Sequence, residues 1–300
     1  MSPAAVPPGK TNAIVTASYA PDFPRCRILC ESIDRFVTGF DCHYLLVDTP
    51  DRDLFAALEG PRRRIVTDTE LLPWWLKRMP QSLSPRQRRI WLSALTLPLH
   101  GWHVQQLKRI AIAHRLDVDG LIYCDSDTAF VKPFDVGAIW RGDAMRLYRE
   151  RGGALKALAD HRHWVTHAGE ALGIAEADRA DHDYICQFVT WKRQTVVDMC
   201  AHMERLHGRP WPAVIGRSRK FSECMIYGAY VEGVLGGAGH YIDAETLCPM
   251  QWFDPAPSDA ELQAVVDGLS ERQAGIGVQS FIALEPARFR AAAFGERLAA

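Results

Sequence analysis

Short apolar runs alternate with stretches of helical period along most of the chain. Ala13-Ile14-Val15-Thr16-Ala17 is apolar and stops at Ser18-Tyr19-Ala20-Pro21-Asp22. A run of that length bounded by turn residues predicts a strand buried on both faces. Arg25 to Phe36 carries Ile28, Leu29, Ile33 and Phe36 at helical spacing. Tyr44 to Val47 reads as a second strand ending at Asp48, Asp53 to Leu58 as a short helix, and Arg64 to Thr67 as a third strand ending at Asp68. Trp102 to Leu116 is a helix with Val104, Leu107, Ile110 and Ala111 inward, and it feeds the run Leu121-Ile122-Tyr123. Strands alternating with helices predict an α/β fold with a mixed, mainly parallel central sheet.

The second half has the same texture with more interruptions. Asp143 to Arg149 predicts an edge strand, Ala154 to Leu172 a helix, Tyr184 to Trp191 a buried strand and Arg193 to Leu206 a helix. Arg209 to Lys220 is a basic loop, followed by a helix from Cys224 to Val231 that Ser222 can cap. Gly233 to Gly239 reads as a flexible loop, Ser258 to Leu269 as a helix, Gly277 to Ile282 as a strand and Ala287 to Leu298 as a last helix. Neither a repeat nor a linker divides the chain. The expected organisation is a disordered tail over 1–11 and a single domain over 12–300.

Composition narrows the function classes. A net charge of −1 and a pI of about 6.8 give no bulk basicity for nucleic acid. The start, Met-Ser-Pro-Ala-Ala, lacks the apolar core of a signal peptide, and no run is long enough to span a bilayer, so a cytoplasmic protein with no transmembrane segment is expected. The eight cysteines include no Cys-x-x-Cys pair and no zinc spacing, so buried free thiols are expected.

The chemistry concentrates at Leu121-Ile122-Tyr123-Cys124-Asp125-Ser126-Asp127. In an extended chain, side chains two apart point the same way, so Asp125 and Asp127 would project together from the carboxyl end of a buried strand. That end is where open α/β sheets hold ligands. Two hard oxygen donors suit Mg²⁺ or Mn²⁺ carrying a substrate phosphate. The pairs Asp51/Asp53, Asp117/Asp119 and Asp181/Asp183 follow no apolar run and read as turns or caps. The other strand ends offer Thr16, Ser18, Tyr19, Asp48 and Asp68 to the same rim. Lys108 can reach a diphosphate or sit solvated on its helix. Residues 70–100, with Trp74-Trp75 and many arginines, suit a lid, a sugar-stacking wall or a surface patch, or else pack on the core. His163 and His167 share a helix face, but no carboxylate completes a metal set.

Gln105-Gln106-Leu107-Lys108-Arg109, Leu121 to Thr128, and Phe221-Ser222-Glu223 together resemble GT-A-type glycosyltransferases, in particular a group of uncharacterised bacterial glycosyltransferase-like proteins. The likeness spans roughly residues 12–245. It implies a GT-A-like (Rossmann-like) sheet whose donor half is 12–128 and whose acceptor side is 129–300. It implies that Asp125 and Asp127 hold Mn²⁺ or Mg²⁺ on the diphosphate of a nucleotide sugar, a UDP-sugar by preference, with Asp125 nearer the ribose. It makes Glu223 the base on a glycan or small-molecule acceptor and His240 a further metal ligand. Cys224 departs from relatives with a second acid there. Inversion would follow from Glu223 as base, and the sequence does not decide it.

Rival readings are a haloacid dehalogenase-type phosphatase and a catalytically silent carbohydrate- or nucleotide-binding relative. The phosphatase motif has Thr or Val where Ala129 stands, and it follows the first strand. Nucleotidyltransferases need a Gly-rich loop after the first strand, which Thr16 to Pro21 lacks. No P-loop and no dinucleotide fingerprint is present.

Overall fold

A computed structural model describes residues 9–84, 88–156 and 159–295. Its central sheet has five strands: β1 (Asn12–Ala17), β2 (Cys42–Val47), β3 (Arg63–Thr67), β4 (Gly120–Tyr123) and β5 (Val189–Lys192), in the order β5-β4-β1-β2-β3. The β1–β2, β2–β3 and β1–β4 pairs are parallel, and β5 runs antiparallel to β4 at the edge.

Every residue of β1 is buried, because helices cover both faces. On one face α1 (Phe23–Phe36) packs Leu29 and Ile33 against Ile14 and Ile122, and Cys26 and Cys30 against Leu45 and Val47. On the other, α2 (Gly101–Ala111) packs Val104, Leu107 and Ile110 against Ala13, Val15, Leu121 and Tyr123. The alternation of Ala13 and Val15 with Ile14 is what two covered faces demand. This is a mixed, parallel-rich α/β sheet flanked by helices, compatible with a Rossmann-like fold.

The chain leaves β1 to build β2 and β3 on one side, then crosses to β4 on the other. The strand order therefore reverses between β1 and β4. A crevice opens at such a point beyond the strands' carboxyl ends. Tyr19 and Asp125–Asp127 line it.

Several predicted elements come out differently. Ala144–Tyr148 is no edge strand: Trp140–Arg141 pairs with it antiparallel and His240–Asp243 parallel. Its Arg146 is wholly buried and is held by Asp243. The strand predicted over Tyr184 to Trp191 begins only at Val189, because Phe188 has φ +58°, a left-handed conformation no strand accommodates. The Arg209 to Lys220 loop contains a helix, Trp211–Ile215. Residues 70–100 contain three short antiparallel strands, Lys77–Arg78, Ile90–Leu92 and Leu99–His100, with Trp91 buried in the core. Residues 85–87 lie outside the described stretches, as do residues 1–8 of the expected tail. Thr11 is not loose: its amide donates to Asp119 Oδ2 at 2.9 Å.

Thr128–Phe130 pairs antiparallel with Gly275–Val278. A Cβ on Gly275 would meet Phe188 Cζ at 2.5 Å and Ala129 O at 2.7 Å, so only glycine lets the strands close. Arg25, buried on α1, then donates to the carbonyls of Val278, Gln279, Ile282 and Leu284 and fixes the loop that follows. Arg25→Ala is expected to lower stability by about 2 kcal/mol, since buried carbonyls lose their donor. Limited proteolysis should then cut first after Val278; an unchanged digestion pattern would contradict this role.

Among the described residues no helix is long and apolar enough to cross a membrane.

Candidate active site

The segment after β4 is a turn, not more strand. Cys124 N still donates to Val15 O at 3.0 Å, but Thr128 N and Oγ1 then donate back to Asp125 O, at 3.1 and 2.7 Å. The two acids thus share an opening by virtue of a tight turn at the strand tip, and not by the extended-chain alternation expected. Both line a cavity of about 890 Å³.

Asp125 is the accessible member, its side chain one-third exposed (33%). Asp127 is buried, at 6%. Its Oδ2 accepts from Ser280 N at 2.9 Å, and its Oδ1, also buried, has no hydrogen-bond partner. Burial, with the charge of Asp125 added, pushes its pKa up to about 7. Asp22 lines the same wall, and burial raises its pKa too. A buried carboxylate oxygen without a partner is costly and calls for an explanation.

α2 presents Trp102, Gln105, Gln106 and Arg109 to the cavity. These positions follow i, i+3, i+4, i+7, one face of a helix. Gln105 Nε2 donates to Ala17 O at 3.0 Å, tying α2 to the end of β1. Gln106 Oε1 accepts from Glu223 N at 3.0 Å, while its buried Nε2 is unpartnered. Arg109 bridges Glu223 Oε1 at 3.0 Å and Asp125 Oδ1 at 3.4 Å, with its guanidinium 4.8 Å from the Tyr123 ring. Burial opposes the Arg109 charge, but Glu223 and Asp125 outweigh it and raise its pKa. Burial pushes the Glu223 carboxyl up, and Arg109 pulls it back only in part.

The rest of the wall comes from elsewhere. Arg89 lines the cavity with its guanidinium 4.0 Å from the Tyr19 ring and its Nη1 2.8 Å from Asp48. Trp252, Phe253 and Phe281 form an aromatic lip, all of them exposed. On α3 (Ala159–Leu172), His161 lines the cavity with its Nδ1 2.7 Å from Asp183 Oδ2.

A profile described as a family of unknown function, DUF6492, matches residues 9–267. The chain belongs to this family. No curated protein matches the chain. The DUF6492 match ends before the Gly275–Val278 strand and before Ser280, whose amide holds Asp127.

Within this DUF6492 chain the cavity gathers Asp125, Asp127, Glu223 and Tyr19 from the residues singled out in the sequence. Of the other donor and metal candidates, Thr16, Ser18, Asp48, Lys108 and His240 lie outside the cavity wall. Lys108 is 2% exposed, and its Nζ sits 3.0 Å from Asp48 Oδ1 and not on the cavity wall. Asp48 is in turn enclosed by Lys108, Arg89 and Arg78. Thr16 is buried with its hydroxyl 3.0 Å from His43 Nε2, and Ser18 is buried outside the cavity wall. His240, expected as a further metal ligand, stands away from the cavity wall. Its Nε2 meets Tyr227 Oη at 2.8 Å and its Nδ1 meets Ala238 O. The same Tyr227 oxygen accepts from Lys192 N, and Lys192 pairs with Gly120, the end of β4 away from Asp125.

His163 and His167 also part company: His163 is exposed, while His167 is buried against Phe221 with Nε2 on Ile215 O. Trp74 stands in solvent outside the cavity. Ser222 makes no side-chain cap to the helix α4 (Glu223–Ala229).

Sequence reasoning missed Asp22, Arg89, His161 and Asp183. Asp183 does serve its turn, accepting from Ile185 N, so the reading of that pair as a turn was incomplete, not misplaced. Among the described residues no group of three or more His, Cys, Asp or Glu side chains is arranged to hold a metal. Asp125 and Asp127 nevertheless fit a divalent cation of the kind held by one or two carboxylates plus substrate phosphates: hard oxygen donors, one exposed and one with a bare buried oxygen.

Proposed function

We propose that this protein is a metal-dependent glycosyltransferase that binds a nucleoside diphosphate sugar in the crevice beyond β1 and β4. One observation carries the reading: the bare, buried Oδ1 of Asp127 beside Asp125 at the reversal of strand order. A carboxylate kept unpartnered in that position is explained if a cation takes it. The cavity volume suits a ligand of nucleotide-sugar size, and its mix of aromatic walls and convergent polar groups is that of a small-molecule site.

Mn²⁺ or Mg²⁺, when bound, would act as a Lewis acid on the departing diphosphate. The chain's own groups supply the remainder. Arg89 brings a cation to the wall beside Tyr19, where a leaving diphosphate develops charge. The Tyr19 ring and the aromatic lip give faces for the base and the sugar to stack on. Arg109, anchored by Glu223, holds Asp125 in place. Glu223 is in the cavity, as the resemblance requires, but Arg109 already occupies one of its oxygens. We read Glu223 as the anchor of Arg109.

The test is a thermal-shift screen of nucleoside diphosphates with and without Mn²⁺. UDP with Mn²⁺ is expected to raise the melting temperature, and each alone to do so far less. A ligand at a hundred times its Kd adds about 2.7 kcal/mol to the folded state. If no nucleoside diphosphate shifts melting with Mn²⁺, the reading fails. Metal-independent binding without turnover would point to a silent relative, and Mg²⁺-dependent release of phosphate from p-nitrophenyl phosphate to the phosphatase.

A further inference from the structure

His161 and Asp183 form a second ionisable pair in the same cavity, apart from the cluster of acids. Asp183 is a fixed partner. It is 8% exposed, its Oδ1 accepts from Ile185 N at 2.8 Å, and its Oδ2 meets His161 Nδ1 at 2.7 Å. Gly153 packs so closely on Asp183 that an added Cβ there would lie 2.7 Å from the Asp183 Cβ. The carboxylate is thus held from two sides. A carboxylate on Nδ1 keeps the proton there, which leaves the other nitrogen of a neutral imidazole as a lone pair. Among the described residues Nε2 has no hydrogen-bond partner.

The surroundings of that nitrogen suit a sugar. The His161 ring lies 4.4 Å from the Trp164 ring, which lies 5.9 Å from that of Trp102. All three line the cavity. Indole faces stack on the apolar face of a pyranose and leave its hydroxyls to polar groups.

We infer that His161, oriented by Asp183, is the base that takes the proton from a carbohydrate acceptor seated against Trp164 and Trp102. The inference rests on the glycosyltransferase reading and supplies the base that Glu223, committed to Arg109, does not. The step balances within the site. The acceptor oxygen forms a bond to the anomeric carbon, and its proton passes to His161 Nε2. The bond from the anomeric carbon to the diphosphate oxygen breaks, and its electron pair leaves with the diphosphate. The imidazolium that results is held by the Asp183 carboxylate until it loses the proton to solvent. This is the division of labour of a histidine base and an orienting carboxylate.

Two measurements on the full chain test it. In ¹⁵N-labelled protein at pH 8, above the ordinary imidazole range, the nitrogen shifts of His161 should report a proton on Nδ1 and none on Nε2. Then UDP release from UDP-glucose, UDP-galactose and UDP-N-acetylglucosamine is followed with Mn²⁺ and water as acceptor. His161→Gln should release UDP about a hundredfold or more slowly while binding UDP and Mn²⁺ as wild type does. Asp183→Asn, which removes the charge and leaves one carbonyl oxygen for two donors, should slow release at least tenfold and covers the case in which the histidine variant does not fold. A proton found on Nε2, or release by His161→Gln within threefold of wild type, overturns the assignment and leaves the donor site standing. If wild type shows no Mn²⁺-dependent UDP binding, the donor reading falls and the assignment with it.

Discussion

Asp127→Asn is expected to abolish Mn²⁺-dependent UDP binding, by at least a hundredfold in affinity, while raising the melting temperature of the ligand-free protein. The two effects have one cause. Asp127 is a buried charge with one oxygen satisfied by Ser280 N and the other by nothing. It also sits near Asp125 and Asp22, whose charges oppose its own. Asparagine keeps an acceptor for Ser280 and removes the charge, so the folded state is relieved, but a neutral amide is a poor ligand for a hard cation. The pH dependence has a definite sign. The pKa of Asp127 stands at about 7 in the folded protein, above the ordinary carboxylate value, so between roughly pH 4 and 7 the folded state holds a proton that the unfolded chain has lost. Wild-type stability should therefore fall as pH rises through that window, by ~4 kcal/mol at the upper bound. The variant should lack this component. Melting curves from pH 5 to 8 with titration of UDP and Mn²⁺ check both parts. Intact metal-dependent binding in Asp127→Asn would remove Asp127 as a ligand, and an unchanged pH dependence would remove its burial cost.

Much of the donor-side scaffold is legible in the sequence, because β1 to β4 and their helices write their environment into local periodicity. A strand covered on both faces is largely apolar, as β1 and β4 are apart from Asn12 and Thr16. The turn acids at the tip of β4 stand out for the same reason: they follow an apolar run, unlike the other Asp-x-Asp pairs. What periodicity does not carry is the identity of a partner far along the chain. Lys108 shares a helix face with Val104 and Ala111, a side that packs inward, so its ammonium had to find a buried countercharge. That countercharge, Asp48, lies sixty residues away, and nothing local names it. Arg109, one residue on, turns to the face of Trp102, Gln105 and Gln106, and all four line the cavity. That spacing was present in the sequence and would have favoured Arg109 over Lys108. Ser280 and the pairing of His161 with Asp183 depend on long-range strand and helix contacts, with no local signal at all. The strand predicted across Phe188 failed because a left-handed residue interrupts an otherwise apolar run, and composition does not disclose backbone sign.

The enclosed ion cluster leads to the second large effect, this time on stability. Asp48→Ala is expected to destabilise the protein by about 3–5 kcal/mol, the range seen when one partner of a buried pair is removed. Asp48 is 1% exposed and Lys108 2%. Burial alone would push the Asp48 carboxyl up, but Lys108 and Arg89 outweigh it and hold its pKa below the ordinary carboxylate value. Without Asp48 the ammonium has no countercharge in reach and no route to water. The melting temperature should drop on the order of 10 °C. Lys108→Met should cost less, because Asp48 keeps Arg89 at 2.8 Å. The double variant Asp48→Ala/Lys108→Met should recover part of the loss, since the stranded charge is gone, and the shortfall from additivity measures the pair. The same series separates a structural pair from a donor-binding one. Lys108→Met should leave Mn²⁺-dependent UDP affinity within about twofold, because its ammonium faces Asp48 and not the cavity. A tenfold or greater loss of UDP affinity at unchanged melting temperature would return Lys108 to the diphosphate, and would mean that α2 rotates on binding to bring it there.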